Sequence, residues 1–271
     1  MSNPEPRRAA ALTTLWRGLR YLEHVTTGVL ILGWVRLVSR AETRPAWLPA
    51  LVQWWYRRAC RALGVRVEVA GTLAPRCLLV CNHITWLDVL VLGAQGHLGF
   101  LSKSEVRHWP VIGWMSAVVG TLFIARGANQ VGAVTTEIGA RIARGGTFVI
   151  FPEGTTTDGA GVARFYPPLF AIALQPGLGV QPVALCYRCT DAPPPDRSIA
   201  YVGDQTLAAN LWGVLRHPGL AARVQVLAPI HPGPGAGPRS LSGQARLAIL
   251  SALGLPETAG RRGRPRPARP G

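Results

Sequence analysis

Asn82-His83-Ile84-Thr85-Trp86-Leu87-Asp88 sets a histidine and a carboxylate five positions apart, directly after the apolar run Cys77-Leu78-Leu79-Val80-Cys81. A neutral imidazole can take a proton from a hydroxyl near neutral pH, and a carboxylate on its other nitrogen fixes the tautomer and stabilises the imidazolium. In that reading His83 is a general base and Asp88 its support. The same residues carry a second reading, because Thr85-x-x-Asp88 is also a capping box that starts a helix, with His83 an ordinary loop residue. No second histidine stands at ligand spacing, which disfavours a metal site.

Two more polar clusters follow apolar runs. Arg126 comes just after Thr121-Leu122-Phe123-Ile124 and offers a fork of donors that can clasp an anionic head group. Phe151-Pro152-Glu153-Gly154-Thr155-Thr156-Thr157-Asp158-Gly159 follows Thr147-Phe148-Val149-Ile150. There Gly154 permits close backbone approach, Glu153 can accept from a hydroxyl or an ammonium, and the threonines can donate. Lys103, the one lysine of the chain, follows a further short apolar stretch, Phe100-Leu101. Rival chemistries lack their central parts: there is no G-x-S-x-G elbow, no P-loop around Lys103 and no G-x-G-x-x-G after a strand.

The elements that must carry these clusters alternate. Val65–Val69, Cys77–Cys81, Thr121–Ile124, Thr147–Phe151, Gly179–Tyr187, Ile199–Val202 and Arg223–Leu227 read as strands. Helices are expected over Trp86–Ala94, Pro110–Val119 with the proline in the first turn, Asn129–Arg144 capped by Asn129, Ala208–Leu215 and Ser240–Leu253. Such alternation predicts an α/β fold with a mixed, largely parallel sheet flanked by helices, whose polar clusters lie where open α/β sheets place ligands.

Composition bounds the setting. A mean hydropathy of +0.21 and nine Trp are high for a freely soluble chain, yet no run of about 18 uncharged apolar residues occurs. The stretch from about Ala10 to Arg40, flanked by arginines, reads as a helical hairpin or an interfacial helix. The domain expectation is a disordered N-terminus (1–9), a membrane-associated helical segment (10–50), a main domain (51–255) and a disordered basic tail (256–271). A net charge of +16 invites nucleic acid as a partner, but no basic stripe is interleaved with exposed aromatics. An anionic membrane surface fits the arginines better. Five cysteines, an odd number in apolar surroundings, point to reduced thiols in a cytosolic compartment, and Cys186-x-x-Cys189 lacks the second pair a zinc site needs.

Four ordered blocks resemble the glycerolipid acyltransferases of the lysophosphatidic acid acyltransferase type. They are Asn82-His83 with Asp88, Gly120-Thr121-Leu122-Phe123-Ile124-Ala125-Arg126, Phe151-Pro152-Glu153-Gly154-Thr155 and Val180-Gln181-Pro182-Val183. The resemblance implies that residues 51–255 form an acyltransferase domain. It would move a fatty acyl group from acyl carrier protein or CoA to the free hydroxyl of a lysolipid, with no cofactor and no covalent acyl-enzyme. It implies that His83 deprotonates the hydroxyl, that Asp88 orients His83, and that Arg126, Glu153, Gly154, Thr155 and Thr156 hold the acceptor, with Lys103 adding positive charge. The implied location is the cytoplasmic face of a bacterial inner membrane. The main expectation is a 1-acyl-sn-glycerol-3-phosphate acyltransferase-like enzyme. One departure favours an alternative: where the common lysophosphatidate enzymes carry an arginine after F-P-E-G-T, this chain has Thr156, as in the branch that acylates lyso-ornithine lipid. A noncatalytic lipid-binding protein on the same fold is the competing class.

Overall fold

The computed structural model describes residues 4–38, 46–125, 131–189 and 194–258. Its frame is a seven-stranded sheet of β1 (Val65–Ala70), β2 (Cys77–Cys81), β3 (Leu98–Lys103), β4 (Leu122–Ile124), β5 (Thr147–Ile150), β6 (Gly179–Cys189) and β7 (Leu220–Val226), in the order β1-β7-β6-β2-β5-β3-β4. Every neighbouring pair is parallel except β6 and β7, so the sheet is mixed and largely parallel. Because parallel strands covered on both faces read as unbroken apolar runs, Cys77 to Cys81 is buried throughout.

The pleat divides that apolar content between two cores. Leu79, Cys81 and Val149 point to a face covered by α1 (Pro4–Val38), α2 (Leu48–Leu63), α3 (Leu87–Gly93) and α6 (Leu207–Arg216). Leu78, Val80, Phe148 and Ile150 point to the other, under α5 (Val131–Ala143), a 3-10 helix over Pro167–Leu174 and α7 (Pro238–Ala252). The short α4 (Ile112–Val118) precedes β4. Amphipathic spacing makes α2 a core helix: Leu48, Val52, Tyr56, Ala59 and Leu63 recur every three or four residues and are buried.

Several expectations change. The N-terminal segment is one continuous helix, α1, in place of a hairpin, and it begins at Pro4, inside the stretch expected to be unstructured. The boundary drawn at 50/51 cuts α2, whose Leu48 and Val52 belong to one core. Pro110 lies before α4, which starts after Val111 at a φ of 62°. Asn129, expected as a cap, and the basic tail from 259 lie outside the described residues. Ile199–Val202 is not a strand: it crosses the loops at the sheet edge as a strap. The Tyr201 N–H donates to the Ile84 carbonyl (3.0 Å) and the Thr156 hydroxyl donates to the Tyr201 carbonyl, so no ladder forms.

Candidate active site

Sheet order assembles the site. In sequence the His83 cluster, Lys103, the Arg126 loop and the Glu153 cluster leave β2, β3, β4 and β5 in turn; in space those strands run β2-β5-β3-β4, all in one direction. The Glu153 loop is thereby brought directly beside the His83 loop. Lys103 closes β3 opposite Ile124 at the end of β4. Arg126 itself lies outside the described residues.

The β2–β6 ladder ends at Cys81 opposite Val183, and the Asn82 side chain extends it. Its Nδ2 donates to the Leu185 carbonyl and its Oδ1 accepts from the Leu185 N–H, both at 2.8 Å. Freed from the ladder, the chain turns into α3, and Asp88 in the first turn folds back over the turn. One Asp88 oxygen, Oδ2, accepts from the Ile84 N–H (2.7 Å), the Thr85 N–H (3.1 Å) and His83 Nδ1 (2.7 Å). Oδ1 accepts from the Tyr187 hydroxyl at 2.8 Å. One carboxylate therefore makes both the bonds to the helix start and the bond to the imidazole, although the Thr85 hydroxyl is buried without a hydrogen-bond partner and does not complete the reciprocal box.

Since an ionised carboxylate only accepts, Nδ1 must carry the imidazole hydrogen, which leaves the Nε2 lone pair to take a proton. The His83 ring stacks on Phe151 at 4.0 Å between centroids and keeps 20% of its side chain exposed. Asp88 is fully buried, so its charge is stabilised by donors and not by water.

The backbone of His83 is held by the neighbouring loop. Its N–H donates to Glu153 Oε1 (2.7 Å), and its carbonyl accepts from the Thr157 N–H (2.8 Å) and hydroxyl (3.2 Å). The second Glu153 oxygen accepts from the Ala163 N–H at 2.6 Å. Both Glu153 oxygens are thus engaged by the protein's own backbone, where the sequence led us to expect a hydroxyl or ammonium of the acceptor. Burial pushes the Glu153 carboxyl up to about 8, outweighing the two N–H bonds that favour its charged form. Gly154, at a φ of 69°, makes the turn that a side chain would strain. Gly154 and Thr155 are exposed at the loop tip, whereas Thr156 is half-buried with its hydroxyl committed to Tyr201.

Sequence reasoning missed three contributors. Tyr187 was available as a hydroxyl inside an apolar strand, a group that needs a partner when buried. Arg246 on α7 donates from Nη2 (2.7 Å) and Nε (3.0 Å) to the Val162 carbonyl and from Nε to the Ala163 carbonyl (3.2 Å), fixing the loop that presents the Ala163 N–H; nothing in the sequence points to it. Asn210 accepts from the Trp86 indole at 2.8 Å and donates to the Ile199 and Ala200 carbonyls, both at 3.2 Å, tying α3 to the strap.

Away from this site Cys189, Asp196 and His217 come together at metal-ligand separations. The His217 ring is fully engaged there, with Nε2 on Asp196 Oδ2 (2.6 Å) and Nδ1 accepting from the Gly219 N–H (3.2 Å). Burial raises the Asp196 carboxyl, but bonds from Ser198 and His217 outweigh it and the net shift is downward.

A histidine held by a buried carboxylate, at the carboxyl edge of parallel strands, is an arrangement chemically able to activate a hydroxyl for group transfer. The family model described as Acyltransferase matches residues 65–186. A lyso-ornithine lipid O-acyltransferase of Pseudomonas aeruginosa is 40% identical over 249 residues, covering 90% of this chain and 95% of that protein. A 1-acyl-sn-glycerol-3-phosphate acyltransferase of Neisseria meningitidis is 33% identical over 174 residues, 62% of this chain and 67% of that protein. The crystal structure of the 1-acyl-sn-glycerophosphate acyltransferase PlsC from Thermotoga maritima has the same fold, with a TM-score of 0.67, 19% identity, and 92% of this chain and 96% of that chain covered. The chain belongs to the glycerolipid acyltransferase family.

Proposed function

We propose that the protein esterifies the free hydroxyl of lyso-ornithine lipid with a fatty acyl group delivered as a thioester of acyl carrier protein or CoA. His83 Nε2 takes the hydroxyl proton as the oxygen attacks the thioester carbonyl. The tetrahedral adduct collapses to the ester and expels the thiolate, and the imidazolium returns the proton to that sulfur. Atoms and charge balance without a cofactor. Asp88 holds Nδ1–H and stabilises the imidazolium, while Lys103, Arg126, Gly154 and Thr155 border the acceptor, with Lys103 supplying positive charge as the adduct forms. The Asp88–His83 bond at 2.7 Å carries this reading, and the relative spanning most of the chain supports the acceptor. A lysophosphatidate acceptor is the second reading, favoured by the Neisseria relative.

α1 supports a membrane surface as the working place. Leu12, Leu15, Trp16, Leu19, Leu22, Leu30, Trp34 and Leu37 are exposed, whereas His24, Leu32 and Val35 are buried. At 3.6 residues per turn the exposed set falls within an arc of about 120° and the buried set lies opposite. Such a helix lies in the interface, and no helix among the described residues is long and apolar enough to cross a membrane. We place the catalytic domain on the cytoplasmic face of a bacterial inner membrane, where both thioester donors are made.

The test is full-length enzyme in nonionic detergent micelles with an acyl thioester and a lysolipid panel, the diacyl product read by mass spectrometry. Lyso-ornithine lipid should be the best acceptor, and His83→Ala should lower kcat by on the order of 10³-fold. Unaltered turnover in that variant would overturn the mechanism; absence of turnover in the wild-type enzyme would return the chain to the noncatalytic lipid-binding class.

A further inference from the structure

We propose that Asp158 and Arg197 form the head-group reader of the site, exchanging their mutual ion pair for the ammonium and carboxylate of an amino-acid head group. The inference rests on the lyso-ornithine reading and names the residues that would carry it.

Both residues stand on backbone anchored to the catalytic turn. Asp158 follows Thr157, whose N–H and hydroxyl hold the His83 carbonyl, so its Cα lies about 3.8 Å beyond that of a residue bonded to the base. Gly159, on its other side, is buried and lies so near Ile84 that a Cβ there would meet the Ile84 side chain at 3.2 Å. Arg197 opens the strap whose Tyr201 N–H reaches the Ile84 carbonyl and whose Ile199 and Ala200 carbonyls are held by Asn210. Two loops fastened to adjacent residues of the catalytic turn therefore present one charge of each sign.

The pair is built to open. Arg197 Nη1 and Asp158 Oδ2 are 3.5 Å apart, with 61% and 49% of their side chains exposed, so their union contributes little to folding. Asp158 is nevertheless oriented, because its Oδ1 accepts from the Ala160 N–H at 3.0 Å and its Oδ2 is left to face a partner. Ornithine acylated on its α-nitrogen keeps one carboxylate and one ammonium, so each protein charge trades its partner for one of the same sign. A phosphate monoester would gain Arg197 but meet Asp158 with like charge. The position that carries a cation in lysophosphatidate enzymes is Thr156 here, its hydroxyl given to the strap, and an acid follows two residues later. Chemistry at this rim has moved away from phosphate.

The test uses the full-length enzyme in nonionic micelles, with steady-state kinetics on lyso-ornithine lipid and lysophosphatidate for wild type, Asp158→Asn, Arg197→Gln and the charge exchange Asp158→Arg with Arg197→Asp. Each single variant should raise KM for lyso-ornithine lipid about tenfold, with the loss in KM rather than kcat. Asp158→Asn should lower KM for lysophosphatidate, and the charge exchange should recover part of the lyso-ornithine loss. Unchanged KM for lyso-ornithine lipid in both single variants overturns the role of the pair alone. A wild-type enzyme that acylates only lysophosphatidate overturns the acceptor reading and the pair with it. A fall in kcat equal on both acceptors, with lowered thermal stability, assigns the residues to loop structure and also overturns the proposal.

Discussion

Tyr187 donates to the Asp88 oxygen that His83 does not use. The tyrosine on β6 holds Oδ1 at 2.8 Å, and the histidine holds Oδ2 at 2.7 Å. Together with the Ile84 and Thr85 N–H groups this surrounds a fully buried carboxylate with donors. Burial raises the tyrosine hydroxyl well above its ordinary range, and the adjacent Asp88 charge adds to the rise, so it stays a donor at every working pH. The carboxylate that holds the His83 ring is thus itself held, from the neighbouring strand.

Tyr187→Phe leaves one oxygen of a buried charge without its donor. The expected result is a loss of about 1–3 kcal/mol in stability and a fall in kcat of about tenfold with little change in KM, since the Asp88–His83 geometry loosens while the acceptor rim is untouched. Urea unfolding and steady-state kinetics check it together. A variant with lowered stability and unchanged kcat would confine Tyr187 to packing.

Glu153 makes a pH prediction whose sign follows from its environment. Its ordinary value is 4.5 and burial in the fold pushes it up to about 8. Between these values the folded chain binds the proton more tightly than the unfolded chain, so this group's contribution to stability falls as pH rises from 4.5 through 8. Glu153→Gln carries no titrating group there, but its amide sets a donor against the His83 or Ala163 N–H. The wild type should therefore exceed the variant in urea midpoint most at pH 5, and the gap should narrow by pH 8. A gap that widens with rising pH would show that the carboxylate is charged in the fold throughout.

How much of this was legible in the chain differs by element. The polar clusters after Cys77–Cys81 and Thr147–Ile150 were readable, because an apolar run that ends in His, Asp or Glu has few other uses. Their adjacency was not: β5 pairs with β2 across two intervening strands of sequence, and only sheet order shows that Glu153 serves the His83 backbone. Ile199-Ala200-Tyr201-Val202 is a short apolar run of the kind that reads as a strand, yet its backbone groups are taken singly by Ile84 and Thr156, contacts without periodicity. The N-terminal segment read equally as a hairpin or an interfacial helix; it is one helix, α1, from which Arg17 donates to the His217 (2.6 Å) and Leu215 (3.3 Å) carbonyls.

Arg246 is linked to the His83 backbone at three removes: guanidinium to the Val162 and Ala163 carbonyls, the Ala163 N–H to Glu153, and Glu153 to the His83 N–H. Arg246→Ala should lower kcat about tenfold with KM nearly constant, and Arg246→Lys, which can reach one carbonyl but not fork to both, should fall between. Circular dichroism melts accompany the kinetics. If both variants melt lower while kcat holds, the arginine staples α7 to the loop and nothing is relayed to His83.

The exposed apolar side chains of α1 run from Leu12 to Leu22 and from Leu30 to Leu37 on one side of the helix, interrupted by the exposed Glu23, which pairs with Arg58, over a length of about 38 Å at 1.5 Å per residue. Those apolar side chains are exposed among the described residues, and burial of such surface in acyl chains is favourable by roughly 25 cal/mol per Å². Arg20 and Arg36 project at its margins, where anionic head groups lie, and Trp16 and Trp34 suit the boundary between head group and chain. Replacing Trp16, Leu19, Leu30 and Trp34 with serine removes apolar area from the side of the helix opposite His24 and Val35, so docking on α2 should survive. The variant should leave the floating fraction in a vesicle flotation assay with anionic lipid, keep its melting temperature within a few degrees, and retain turnover on acceptor dispersed in detergent while losing it on acceptor held in vesicles. Retention of the floating fraction at high salt in that variant would move the membrane contact off α1.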